Sequence, residues 1–462
     1  MTEETRVMEQ NDIETESAGE MRSLILSLTW PALAENMLST LVSMADTIMI
    51  AVLGSYAISA VGLVTQPRFI VFSAFMALGI GSTAMIARAK GEGDPQKANQ
   101  ILRQSLILSA GIVLLLCVLM AAFTSPLVRL IAGSEISEQT IHEAIVYLRI
   151  QIYGFPLLGL TYTINAALRG AGNTRAAFYS NAAANIVNVF LNYCLIEGKL
   201  GFPALGVAGA SIATVIGQGV AFVFCLYLIL NGKQYIRLEL REGFRPDIDI
   251  FRRINKIGMP ALMEQVVMRV GMLLFTMIVT SLGDTPYAAH IIAMNIQSMS
   301  FTTGMAFGTA ATTLTGQCLG RKRIDLAKEY VRRTQRLDYI VSVVISVLLI
   351  VCGGPLARLY TDEALIIAMV AQVLTIVSVS NPTSNARFVY NSALRGAGDS
   401  RYTAIITFIG ILLVRPLVSA VLVYVFHMGL VGIWIALISD AVVCFVFARR
   451  RWFTESWATI RV

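Results

Sequence analysis

Residues 167–175 read ALRGAGNTR, and residues 393–401 read ALRGAGDSR. The two copies lie 226 positions apart in a chain of 462 residues, which is the mark of a chain built twice. Toward the N-terminal side of each copy, PALAE at 31–35 matches PALME at 260–264, an offset of 229. Gly54 and Gly283, Gly79 and Gly308, Gly91 and Gly320, and Ala98 and Ala327 keep that offset. Toward the C-terminal side, LGVAGASIA at 205–213 matches MGLVGIWIA at 428–436, an offset of 223. The register drifts by only a few residues over half the chain.

Both copies are dominated by apolar residues. The chain is 56% hydrophobic and 14% charged, against about 25% charged in a soluble domain. Apolar runs cover 24–50, 57–87, 102–123, 141–168, 176–197, 207–230, 255–281, 286–319, 333–355, 365–394, 402–426 and 430–449. Each is long enough to cross a bilayer, which takes roughly 20 residues. Six runs per copy return the chain to its starting side, so the copies are parallel and related by a pseudo-two-fold axis along the membrane normal. The expected fold is all-α and membrane-embedded. Twelve transmembrane helices form an N-terminal lobe (23–230) and a C-terminal lobe (255–449), joined by a polar linker (231–254). Residues 1–22 are acidic, without the apolar centre of a signal peptide, and read as a disordered tail. Residues 450–462 read as a second tail.

The net charge of +7 is explained by position and gives no reason to expect a nucleic-acid partner. With the N-terminus in the cytoplasm, only Arg129, Lys199 and Arg358 fall in outward loops, and Arg68, Arg149, Arg269, Arg387 and Arg415 lie inside spans. The remaining Lys and Arg fall on the cytoplasmic side, which places both termini there, in a cell (plasma) membrane. The six cysteines and three histidines show no metal-ligand spacing. No phosphate-binding loop, zinc-protease motif or nucleophile elbow is present. The expectation is a protein that is not an enzyme, needs no cofactor, and draws energy from an ion gradient if it does transport work. A membrane sensor normally carries an appended soluble domain, and no polar stretch here exceeds about 25 residues.

Charged and polar groups inside a bilayer are costly and turn toward a partner or a cavity. Glu35, Ser39, Ser43 and Asp46 are spaced four, four and three, so they share one helix face. Glu35 and Asp46 stand about 16 Å apart along the axis and make two sites. Asn181, Asn185, Asn188 and Asn192 form a second such row. Span 7 carries Glu264, Gln265 and Arg269, with Arg269 a potential partner for Glu264. Span 10 carries Asn381, Ser384, Asn385 and Arg387. Amide oxygens can coordinate a cation and can equally bridge helices. In-span prolines such as Pro31, Pro260 and Pro416 remove backbone hydrogen bonds and permit bends.

Together, WPALAENML at 30–38, MADTIMIAVLG at 44–54, the two ALRGAG elements, NIVNVFLNYCLI at 185–196 and LGVAGASIATVIGQ at 205–218 resemble the multidrug and toxic compound extrusion (MATE) family over residues 24–450. The resemblance implies a V-shaped pair of six-helix lobes. It also implies an antiporter that exports organic, often cationic, amphiphilic compounds against H+ or Na+. In many relatives an Asp in the D-T segment of the first helix binds the coupling cation, which here is Asp46. The matching helix-5 positions are Asn188 and Asn192, where relatives often carry an acid at the second, and Thr214 joins the cluster. These residues, with Glu35 next, are the cation-coupling candidates, and Asp46, Asn188 and Asn192 would hold Na+ if sodium is the ion. Some relatives use acids on helices 7 and 10. Helix 7 here offers Glu264 and helix 10 offers no acid, so Glu264, Gln265, Arg269, Asn381, Asn385 and Arg387 stand as candidates for the cargo cavity. Met37, Met44, Met268, Met272 and Met305 suit a bulky apolar cation. The intramembrane arginines suit the alternative, an anionic cargo such as an organic acid, a siderophore or a lipid-linked saccharide. The expected partners are a small organic substrate and the lipid bilayer, with the protein a monomer.

Overall fold

The structure is a computed structural model that describes residues 17–132, 136–239, 243 and 245–460. The expected tail over 1–16, part of the linker, and residues 461–462 lie outside the described residues. Twelve helices follow one another: α1 (Ala18–Ala51), α2 (Ser55–Gly91), α3 (Pro95–Ala132), α4 (Glu138–Gly170), α5 (Thr174–Leu195) and α6 (Gly206–Leu230), then α7 (Ile248–Thr280), α8 (Asp284–Gly320), α9 (Ile324–Ala357), α10 (Ala364–Gly396), α11 (Ser400–Val425) and α12 (Gly429–Phe453). Nine of these, among the described residues, are long and apolar enough to cross a membrane. The others are α1, α5 and α8, whose rows of polar residues dilute their mean hydropathy.

Local chemistry sets the boundaries. Ser17 accepts from the Glu20 amide and Glu20 accepts from the Ser17 amide, a reciprocal cap that starts α1 at Ala18. Gly54 and its repeat equivalent Gly283 hold φ of +112° and +95°, which lets the chain reverse tightly before α2 and α8. Asp247 caps α7, which begins at Ile248, inside the stretch read as linker. Residues 454–460 are not a loose tail. Trp457 is fully buried and stacks on Trp452 with ring centroids 4.0 Å apart.

The two-fold relation is visible in single contacts. The Gly91 backbone lies against the Gln317 carbonyl, and the Gly320 backbone lies against the Arg88 carbonyl, with no room for a Cβ at either glycine. Positions 88 and 317, like 91 and 320, are repeat equivalents, so the axis passes between the ends of α2 and α8. Hydrogen bonds across the lobes lie at this same end, where α1 begins and α12 stops. Thr313 Oγ1 donates to the Arg169 carbonyl (3.0 Å), Gln317 Nε2 to the Gly170 carbonyl (3.2 Å), Arg88 Nη1 to the Ile460 carbonyl (3.0 Å) and Arg333 Nη1 to the Ala18 carbonyl (3.2 Å). The lobes are hydrogen-bonded to one another at this end.

α11 departs from regular geometry. Phe408–Val414 and Val421–Val425 are wide π turns on either side of Arg415–Ala420. The Arg415 N–H, just before Pro416, reaches back five residues to the Gly410 carbonyl. By contrast, α1 and α7 stay helical through Pro31 and Pro260.

Candidate ion site and central cavity

α1, α5 and α6 meet inside the N-terminal lobe because each turns its polar row inward. Asn192 Nδ2 donates to Asp46 Oδ1 at 2.7 Å. In one amide orientation Asn188 donates to Thr214 Oγ1 at 3.3 Å. The reversed orientation satisfies both ends of that amide: the nitrogen donates to Asp46 at 3.0 Å and the oxygen accepts from the Thr214 amide at 3.2 Å. The Asn192 side-chain oxygen, Oδ1, is buried and unpartnered. Asp46, Asn188, Asn192 and Thr214 therefore come together, as the family resemblance implied, on the wall of a cavity of about 590 Å³ that Arg68 also lines. A carboxylate beside amide and hydroxyl oxygens can take a proton or share in coordinating Na+.

Glu35 is elsewhere. It accepts from Asn181 Nδ2 at 2.6 Å and faces Arg169 Nη2 at 3.5 Å. The C-terminal lobe repeats this arrangement. Glu264 accepts from Thr407 Oγ1 at 2.8 Å and from Arg395 Nη2 at 2.5 Å. Glu35 and Glu264, Arg169 and Arg395, and Asn181 and Thr407 are equivalent at the repeat offsets. Arg269, expected as a partner for Glu264, instead places its guanidinium 3.3 Å from the Phe69 ring centroid, across the lobe boundary. The Asp46 site is not repeated. Its equivalents are Phe275, Val414, Val418 and Leu437, and apolar packing of Phe275 with Leu437 occupies that region.

A second cavity, of about 540 Å³, lies between the lobes. Glu264, Gln265 and Arg387 line it, together with Arg169, Arg395 and Arg415. Asn381 and Asn385 do not: both are fully buried between helices. Asn381 Oδ1 accepts from Gln297, and Asn385 donates to Ser342 Oγ at 2.8 Å and to the Ser300 carbonyl at 3.2 Å. These bonds bridge α8, α9 and α10 and leave Asn381 Nδ2 and Asn385 Oδ1 buried without a partner, so neither side chain lines the cavity. The sequence reading missed Asp440 on α12. It is fully buried and bound to Arg415 Nη2 at 2.8 Å, with Arg387 Nη1 at 3.5 Å. Two arginines inside spans without an assigned anion were the available signal.

Two parallel six-helix lobes that meet at one end, with polar groups turned into cavities, define a membrane transporter. A family model described as MatE matches the chain twice, over residues 31–194 and 260–421, one match per lobe. The chain belongs to the MATE family of transporters. It is 30% identical to the "Probable multidrug resistance protein NorM" of Thermotoga maritima, covering 94% of this chain and 92% of that one. It is 26% identical to the "Uncharacterized transporter YisQ" of Bacillus subtilis, covering 94% of each. A solved structure described as the outward-facing conformation of a multidrug resistance MATE family transporter superposes with a TM-score of 0.87 at 23% identity, covering 94% of this chain and 96% of that one.

Proposed function

We propose that this transporter exports amphiphilic organic compounds by alternating access, driven by entry of one H+ or Na+ at Asp46. The observation that carries the reading is the gathering of Asp46, Asn188, Asn192 and Thr214 on an open cavity wall, with the apolar Phe275, Val414, Val418 and Leu437 at the equivalent positions of the other lobe. The relatives' printed names, multidrug resistance among them, support the cargo class. With both termini cytoplasmic, the joined end faces the cytoplasm and the opposite end faces outward, ready to receive the ion and release cargo.

The test is efflux from reconstituted vesicles with a proton or a sodium gradient imposed separately, using an ethidium-like cation and an aryl sulfonate in parallel. Efflux is expected to follow one of the two gradients. Asp46→Asn is expected to lower the gradient-driven rate at least about tenfold, the loss when an amide replaces a charged ligand. Efflux of equal rate with and without either gradient would sink the coupled reading.

A further inference from the structure

The charges around the interlobe cavity are layered, and in every pair the carboxylate is the deeper partner. Glu264 is 3% exposed against 22% for Arg395, and Asp440 is 0% exposed against 12% for Arg387 and 8% for Arg415. In the other lobe Glu35 is 9% exposed against 22% for Arg169. Neither Asp440 nor Glu35 lines the cavity, whereas all four arginines do. Glu264 is the one carboxylate on the lining, and Arg395, Thr403 and Thr407 already donate to it. Asp440 has two arginines to neutralise and one charge to do it with, so a positive charge is left over beside the cavity.

We infer that this cavity binds an amphiphilic organic anion, a carboxylate, sulfonate or phosphate on an apolar body, with Arg387 as its principal contact; this rests on the reading of the chain as an exporter. A guanidinium carries five donors, and Arg387 gives one terminal nitrogen to Asp440. Its planar fork suits oxyanions, and the attraction strengthens where water is displaced. Met76, Met268, Met272 and Met305 give the cavity soft walls that adapt to the apolar body of the cargo. A volume of about 540 Å³ is that of a small-molecule site. A cation placed here would face the arginines with no carboxylate available to it. Asp46 and Glu35, read from the sequence as cation-coupling candidates, do not line this cavity, and Glu264 is already occupied.

The experiment compares two probes that share a ring system, naphthalene-2-sulfonate and 2-naphthyltrimethylammonium, titrated calorimetrically into purified full-length protein. The sulfonate is expected to bind at least about tenfold more tightly. Arg387→Gln is expected to remove about tenfold of that affinity, and Arg387→Lys to keep most of it. Arg387→Gln leaves Asp440 paired with Arg415, so the fold has no unpaired buried acid to reject. Preference for the ammonium, equal binding of both, binding of neither, or sulfonate binding indifferent to Arg387→Gln would each overturn the inference. No ion gradient enters this measurement, so a failure of coupled transport is seen separately, in the vesicle efflux. Gradient-driven efflux of the ammonium alone would keep the export reading and reject the anionic cargo.

Discussion

Asp338 lies on α9 between Thr334 and Ser342, all three fully buried, and neither of its carboxylate oxygens has a hydrogen-bond partner. The repeat offset of 229 puts Ser109 at the equivalent place in the other lobe, so the fold does not need an acid there. Replacing Asp338 with Ser removes an unsatisfied carboxyl from a fully buried position. Asp338→Ser is expected to raise stability by about 1–2 kcal/mol, and a lower melting temperature in detergent would reject this. Glu264 behaves oppositely. Glu264→Gln strands Arg395 without its anion and is expected to cost about 3 kcal/mol. Glu35→Gln should lower the melting temperature similarly, because the same triad recurs, while leaving unchanged which gradient drives efflux. A switch in the driving ion on Glu35→Gln would return Glu35 to the coupling site. At this scale the sequence was most readable where groups repeat every three or four residues, as Asn188 and Asn192 show, and the family resemblance added Asp46 and Thr214 to them. It was least readable for pairs whose partners stand far apart in the chain, such as Glu35 with Arg169 or Asp440 with Arg387 and Arg415. Each of those pairings depends on helix packing that periodicity does not encode.

The helices were legible from apolar runs because a bilayer leaves the backbone no other hydrogen-bonding solution. Their ends were not, since caps extend helices beyond the apolar core, as Ser17 and Asp247 extend α1 and α7. The widened turns of α11 have a proline behind them, but neither their type nor their number followed from Pro416 alone, and the prolines of α1 and α7 disturb nothing comparable. The α2–α8 contact is a demanding one, because each helix brings a bare glycine against the other's backbone. A larger side chain there must push the helices apart at a cost of about 1–3 kcal/mol or more. Gly91→Leu is therefore expected to open the joined end and to speed alkylation of Cys318, which is 2% exposed beside that contact, as read by site-resolved mass spectrometry. An unchanged alkylation rate in folded protein would show that the contact does not hold the lobes together.

At the scale of the whole molecule, the duplication was readable from a handful of short matches, and it correctly implied parallel lobes. The division of labour between the lobes was not readable from those matches, because the repeats preserve the Glu–Arg triads and differ at the Asp46 site. The C-terminal lobe carries the apolar Phe275, Val414, Val418 and Leu437 at those positions. The Thr313, Gln317, Arg88 and Arg333 bonds all join the lobes at one end, and the proposed alternating access would require them to break.

A single ion site has an electrical consequence when the cargo is an anion. One cation moving in and one negative charge moving out both carry current in the same direction, so each cycle shifts two elementary charges across the membrane. Each charge is worth about 2.3 kcal/mol per 100 mV, so a resting voltage of that size would add about 4.6 kcal/mol to every cycle. Exchange of the same ion for a monovalent cation would be electrically silent. Asp46 and the arginines of the central cavity would together make this transporter a device that runs on voltage as much as on concentration.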